Sequence, residues 1–366
     1  MTKIHELNGL GQSIWFDFIR RSFTASGELQ ELIDLGVRGV TSNPSIFEKA
    51  IAGSADYDAD IQRLVREGKQ VEEIYEALVL QDIADAADLL RPLYDESGAT
   101  DGFVSLEVSP TLAHDTNSTI ADAKRLYSHL DRPNVMIKIP ATPAGMPAIT
   151  AAIGAGINVN VTLIFSIAHY EAVVEAYLSG LEQFVAAGGE LAGVASVASF
   201  FISRVDTSVD SALTRAGNHD MLGRIAVDNA KVAYSRFREL FSGERWKKLS
   251  KAGARVQRTL WASTGTKNAD YSDTLYLESV IGPDTVNTVP PATLDLFLDH
   301  GKVATTIEND LDESLARIAQ LSRLGIDLET ITQTLQDEGV AAFEKSFHEL
   351  LASIERKRDQ LTGEVA

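Results

Sequence analysis

Apolar and polar residues alternate in short runs along this chain, and longer stretches of helical period separate the runs. The short ones read as β-strands: SIWFDF (13–18), GVRGVTSN (36–43), GFVSLEV (102–108), NVMIKIP (134–140), INVNVTLI (157–164), GVASVASFF (193–201), RTLWAST (258–264) and DTVNTV (284–289). The clearest helix lies at 166–186, where Tyr170, Val173, Val174, Tyr177, Leu178, Leu181 and Val185 recur at helical spacing behind Ser166, a candidate N-cap. Strands separated by helices imply a parallel sheet, because parallel neighbours need crossover connections. Eight such units predict an α/β fold, a (β/α)8 TIM barrel, for which roughly 250 residues is typical. An open doubly wound sheet gives the same alternation and is the alternative.

The chain has 366 residues, and the surplus length has two homes. Residues 44–95 hold helical insertions between the second and third strands. Beyond Asn309 the pattern is wholly helical, and Val340, Phe343, Phe347, Leu350, Leu351 and Ile354 form an apolar stripe. It predicts a C-terminal helical extension, within 310–362, packed on the barrel. No linker, low-complexity tract or fixed-period repeat interrupts 1–366, which reads as a single domain.

Strands covered on both faces should be nearly continuous in apolar residues, and several of these are not. Val104, Leu106 and Val108 share one face, leaving Ser105, Glu107 and Ser109 on the other. Ile157, Val159, Val161 and Leu163 likewise oppose Asn158, Asn160 and Thr162. A half-solvated antiparallel sheet would alternate in this way, but helices between the strands leave no hairpins. In a barrel the apolar faces meet the helices and the polar ones point inward. Asp17, Asn43, Glu107, Lys138, Asn160, Thr162, Ser199 and Ser263 then gather at the C-terminal rim, where barrel enzymes place their sites. The eighth strand offers Asn287 and Thr288, whose facing the pattern leaves open.

Lys138 stands out, since lysine is almost never fully buried without a partner or a task. Alone it reads as a salt-bridged or interfacial residue. Among inward carboxylates and amides it reads as an amine kept for attack on a carbonyl, with an imine as product. Apolar walls favour the neutral amine and a carboxylate opposes it. Glu107 and Asp17 must therefore be neutralised, held off by water, or charged only at the right stage.

Composition narrows the partners. Lysine and arginine total 33 against 52 acidic residues, a net charge of −19, which disfavours nucleic acid and acidic membranes. An anionic small substrate needs local cations to outweigh that field. No cysteine is present, so disulfide and thiolate chemistry are excluded and a reducing cytosol fits. No apolar run is long enough to span a bilayer, and MTKIHELNGLGQS lacks a signal-peptide core, so a cytoplasmic location is expected. The seven histidines show no HxxxH or HExxH spacing, and no metal site is predicted. GAGINV (154–159) precedes a strand, unlike a dinucleotide loop, and reads as a turn. His114–Asp115 reads as loop and helix entry, and Glu72–Glu73 and Asp312–Glu313 as solvated helix faces.

Six segments together carry a resemblance: TSNPSIF (41–47), VSLEVSP (104–110), VMIKIPAT (135–142), INVNVTLIFS (157–166), ASFFISRVD (198–206) and WASTGTKN (261–268). They are similar to the transaldolase family, and VNTVPPATLDLF (286–297) points to its longer bacterial branch. The resemblance implies a cofactor-free barrel enzyme of the non-oxidative pentose phosphate pathway. It would move a dihydroxyacetone unit from sedoheptulose 7-phosphate or fructose 6-phosphate to glyceraldehyde 3-phosphate or erythrose 4-phosphate. By the same resemblance Lys138 forms the Schiff base, Asp17 takes the proton of the C4 hydroxyl, and Glu107 passes protons through a water held by Thr162. Asn43 and Asn160 would hold the hydroxyls of the three-carbon fragment, with Ser199 in the same pocket. Arg204, Ser263 and Lys267 would receive the phosphate. Shorter members carry arginine where Lys267 stands, and a lysine cannot grip phosphate bidentately.

Two other functions bear on the same residues. A fructose 6-phosphate aldolase on this scaffold tends to carry glutamine in place of Glu107 and tyrosine in place of Phe201. A tyrosine hydroxyl there would help end the transfer early, so the pair present here favours transfer. A non-catalytic phosphosugar-binding protein would need Arg204 and Ser263 but not Lys138, Asp17 and Glu107 together. Some relatives are fused to a phosphosugar isomerase, and this chain has length only for the transaldolase part.

Overall fold

A computed structural model describes residues 2–363. Eight strands, β1 (Gln12–Phe16), β2 (Gly39–Thr41), β3 (Phe103–Glu107), β4 (Val135–Pro140), β5 (Val159–Ile164), β6 (Ser196–Phe201), β7 (Arg258–Ala262) and β8 (Thr285–Val289), close into a barrel in chain order. Every neighbouring pair is parallel, β8 with β1 included. The antiparallel and doubly wound alternatives are thereby overturned. The strands are shorter than the sequence runs because their ends turn into loops that carry site residues; Asp17 follows β1 directly.

The helices start where the sequence places caps. The Ser166 hydroxyl accepts from the His169 amide at the head of Ile167–Ala186, and Asp115 does the same for Ser118 in Thr116–Leu130. GAGINV is a turn between the helix Gly145–Ile153 and β5. A first helix, Lys3–Gly9, escaped the sequence reading because it is a single short element held by a Thr2–His5 capping box.

Below β1 and β7 the barrel is closed by charge. Arg258, buried, donates to Ser13 Oγ at 2.9 Å, to the Thr100 carbonyl at 2.6 Å and to Asp101 at 2.9 Å. These bonds offset the cost of dehydrating the guanidinium. Above, the long C-terminal helix Leu328–Thr362 packs on Pro44–Ala52 and Asp58–Arg66 and reaches Val71–Glu96 and Ser203–Arg215. It arrives over the mouth because the β5–β6 register shifts between Val161 and Ile164, where Leu163 adopts φ 61°. The Leu163 carbonyl then accepts from Gln336 Nε2 at 3.0 Å, and the Ala141 carbonyl from the same amide at 2.9 Å. Among the described residues no helix is long and apolar enough to cross a membrane.

Gly102, at φ +84°, admits the chain into β3. A Cβ there would lie 2.5 Å from the Tyr94 amide nitrogen and 2.8 Å from the Leu90 carbonyl oxygen. Both obstacles are backbone of a helix that cannot yield locally. Gly102→Ala is therefore expected to destabilise the fold by roughly 2–4 kcal/mol in denaturant unfolding. A loss within experimental error would contradict this packing.

Candidate active site

One cavity of about 150 Å³ opens at the C-terminal mouth, lined by Asp17, Thr41, Asn43, Lys138, Thr162, Ser199, Phe201, Arg204, Ser263 and Lys267, together with Ala262, Gly265, Thr288, Pro290 and Phe343. The register explains the grouping. Lys138 on β4 stands opposite Glu107 on β3 and Asn160 on β5, and Pro140 stands opposite Thr162. Inward positions on adjacent strands point toward the barrel axis, and side-chain length and strand stagger decide which of them reach the cavity.

Lys138 is 6% exposed, and its Nζ donates to the Ser42 carbonyl at 3.2 Å. Phe343, from the C-terminal helix, presents its ring 5.9 Å from Nζ. The amine thus keeps one weak hydrogen bond, an aromatic cover and no ion pair among the described residues, an environment in which attack needs little rearrangement. Asp17 accepts from Thr41 Oγ1 at 2.7 Å, and Thr41 in turn meets Thr288 Oγ1. This resolves the eighth strand: Thr288 lines the cavity, while Asn287 turns away and accepts from Thr264 at 2.8 Å.

Asn43 serves two tasks. Its Oδ1 caps the helix Pro44–Ala52 by accepting from the Ile46 amide at 3.0 Å, which leaves the amide group as a donor toward the cavity. Arg204, at the start of Ser203–Arg215, lies 5.4 Å over the Phe201 ring. Burial lowers the proton affinity of its guanidinium and Glu338 opposes that shift. Ser263, at φ 57°, bonds Ser203 Oγ at 2.9 Å, and Lys267 follows on the loop past Gly265.

Two residues of the expected set lie outside that lining. Asn160 is fully buried and absent from the cavity lining: its Nδ2 donates to Ser105 at 3.0 Å and its Oδ1 accepts from Ser199 at 2.7 Å. Level with Lys138 in register, its shorter side chain is taken up by these two bonds and stops beneath the lining that the longer lysine reaches. Glu107 is also absent from that lining and instead lines adjoining spaces with Tyr75 and Leu106. Burial pushes its carboxyl up to about 7, with Lys138 pulling the other way. Glu107 Oε2 and Thr162 Oγ1 are both buried without a protein partner. Sequence reasoning missed Thr41 and Phe343 as site residues. Thr41 was visible in TSNPSIF, and Phe343 lay in the apolar stripe, which says nothing about where it lands.

A family model described as Transaldolase/Fructose-6-phosphate aldolase matches residues 14–354. A transaldolase of Trichodesmium erythraeum is 45% identical over 371 residues, covering 98% of each chain. Transaldolase 1 of Streptomyces avermitilis is 49% identical over 356 residues, covering 96% of this chain and 94% of its own. A transaldolase of Thiobacillus denitrificans is 48% identical over 353 residues, covering 95% and 98%.

The Glu107 carboxyl sets a stability test. Its folded pKa of about 7 lies above the ordinary 4.5, so folding favours the protonated form. The cost of holding the anion is absent below about pH 4.5 and reaches about 3 kcal/mol above pH 7. Glu107→Gln is expected to raise the melting temperature at pH 8 and to leave it nearly unchanged at pH 4. An equal effect at both pH values would refute the burial argument.

Proposed function

Because the chain belongs to the transaldolase and fructose-6-phosphate aldolase family, and is an enzyme of the transaldolase type, we propose that Lys138 carries its chemistry as a Schiff base on a ketose phosphate. The observation that carries this reading is the buried amine of Lys138, opening on the same cavity as Asp17, Arg204 and Lys267. The neutral amine attacks the C2 carbonyl, and the protonated imine becomes an electron sink. Asp17, steadied by Thr41, takes the C4 hydroxyl proton, the C3–C4 bond breaks, and an enamine of the three-carbon fragment remains.

Glu107 moves protons as the carbinolamine dehydrates and later hydrolyses, through a water that Thr162 Oγ1 would hold; the unpartnered oxygens of both residues support this pairing. Asn43 donates to the fragment's hydroxyls. Asn160 acts from below, holding Ser199 in place, rather than as a first contact. Arg204, Ser263 and Lys267 receive the phosphate at the far end of the cavity. Sugar phosphates are the partners in this reading, a cytoplasmic location is its natural setting, and association with a phosphosugar isomerase remains an extension of it. The barrel and its C-terminal helices act as one unit, since Phe343 of the last helix lines the barrel's cavity.

Reduction with borohydride in the presence of fructose 6-phosphate is expected to leave a covalent adduct on Lys138, located by peptide mass spectrometry. The adduct is expected to vanish in Lys138→Ala; an adduct that persists there would sink the assignment. For transfer against simple aldol cleavage, Phe201 is the discriminating residue: it stacks beneath Arg204 and has no hydroxyl to protonate the enamine. Phe201→Tyr is expected to raise acceptor-independent cleavage severalfold relative to transfer. An unchanged ratio of the two rates would remove that argument.

A further inference from the structure

A second cavity, of about 160 Å³, lies outside the barrel wall between the helices Val71–Glu96 and Thr116–Leu130 and the end of β3. Its inner wall is apolar and buried, with Val79, Leu106 and Leu126. At its rim Arg125 is held by Glu76 at 2.6 Å and Asp122 at 2.7 Å. At its inner end stands Glu107, opposite Lys138 in register, with Oε2 unpartnered. A space of about 10 Å³ continues from Glu107 to Ser42, whose carbonyl holds Lys138 Nζ. That is about the room one water needs. An unpartnered buried carboxyl at the end of an apolar passage is costly unless a small polar species reaches it.

We propose that this side cavity is a water port serving Glu107, separate from the mouth through which the sugar enters. The proposal rests on Lys138 being the Schiff-base lysine. With a sugar phosphate in the mouth and Phe343 over Lys138, the direct way out is covered. The neutral carbinolamine has its C2 hydroxyl protonated by the Glu107 carboxylic acid, relayed through the water that Thr162 holds. The C2–O bond then breaks, the nitrogen lone pair closes the C=N bond, and the products are a protonated imine, a Glu107 carboxylate and one water. That water leaves between the two helices, and hydrolysis runs the same steps backward with a water entering by the same way. No further reactant is needed.

Oxygen exchange reads the port directly, because each cycle of imine formation and hydrolysis replaces the C2 oxygen by one from solvent. The enzyme is given fructose 6-phosphate, without acceptor, in H2¹⁸O, and label in the ketose is followed by mass spectrometry above the enzyme-free rate. Val79→Phe and Leu126→Phe fill the passage from opposite helices. Each is expected to slow label uptake about tenfold, equivalent to roughly 1.4 kcal/mol on water passage, while the borohydride-trapped adduct on Lys138 reaches its parental extent. Leu126→Ala, which widens the passage, is expected to exchange at least as fast as the parent. Parental label uptake in a filled variant that still forms the adduct, or slowed uptake in Leu126→Ala, overturns the port. Failure of the parent chain to form the adduct would instead overturn the Schiff-base reading.

Discussion

A closed parallel barrel has no edge strand and no solvated face, so each polar side chain aimed inward must find its partner among the other inward side chains. That constraint organises this molecule. At the lower end Arg258 is consumed by Ser13, Thr100 and Asp101. In the middle Asn160 spends both ends of its amide on Ser105 and Ser199. At the upper rim Thr162 and Glu107 keep unpartnered oxygens, and Lys138 keeps one long hydrogen bond. The bonded residues Arg258 and Asn160 form a framework beneath the cavity that holds its lining in place.

The roof depends on a local departure from barrel regularity. Leu163 leaves the β5–β6 ladder in a left-handed conformation that costs a non-glycine residue about 1–2 kcal/mol. Its freed carbonyl, with that of Ala141, receives Gln336, and this fixes the height of the C-terminal helix over the mouth. One turn further on, Gly339 lets the helix backbone rest on the Leu163 side chain, since a Cβ there would lie 2.8 Å from Leu163 Cδ2. A further turn brings Phe343 over Lys138, and another brings Phe347 against Tyr75, with ring centroids 5.3 Å apart. The same helix therefore lines both the substrate cavity and the side cavity.

Electrostatics within the cavity run against those of the whole chain. The net charge is −19, yet Asp17 is the sole carboxylate in the cavity lining, beside Lys138, Arg204 and Lys267. Glu107, the other acid at this height, is kept neutral over part of the physiological range by burial. A local excess of cations inside low-dielectric walls outweighs a distant surface field that salt screens. An anionic sugar phosphate and an acidic protein are thus compatible.

Strand order and the parallel sheet were legible in the letters. Alternation of apolar and polar residues is a local property with period two, and Lys138 stands out as the one charge in an otherwise apolar strand. Helix entries were equally legible at Ser166 and Asp115, because a cap acts within three residues of itself. Depth along the barrel axis was not legible: Asn160 and Thr162 share a face, yet Asn160 is bound to Ser105 and Ser199 beneath the lining and Thr162 is part of it. Nor could periodicity foretell that Phe343 covers Lys138, or that Glu107 stands between two cavities, since both depend on where elements far apart in sequence come to rest. Alternation is written into consecutive residues, whereas height, cover and access come from the way closed strands and a returning helix share the same space.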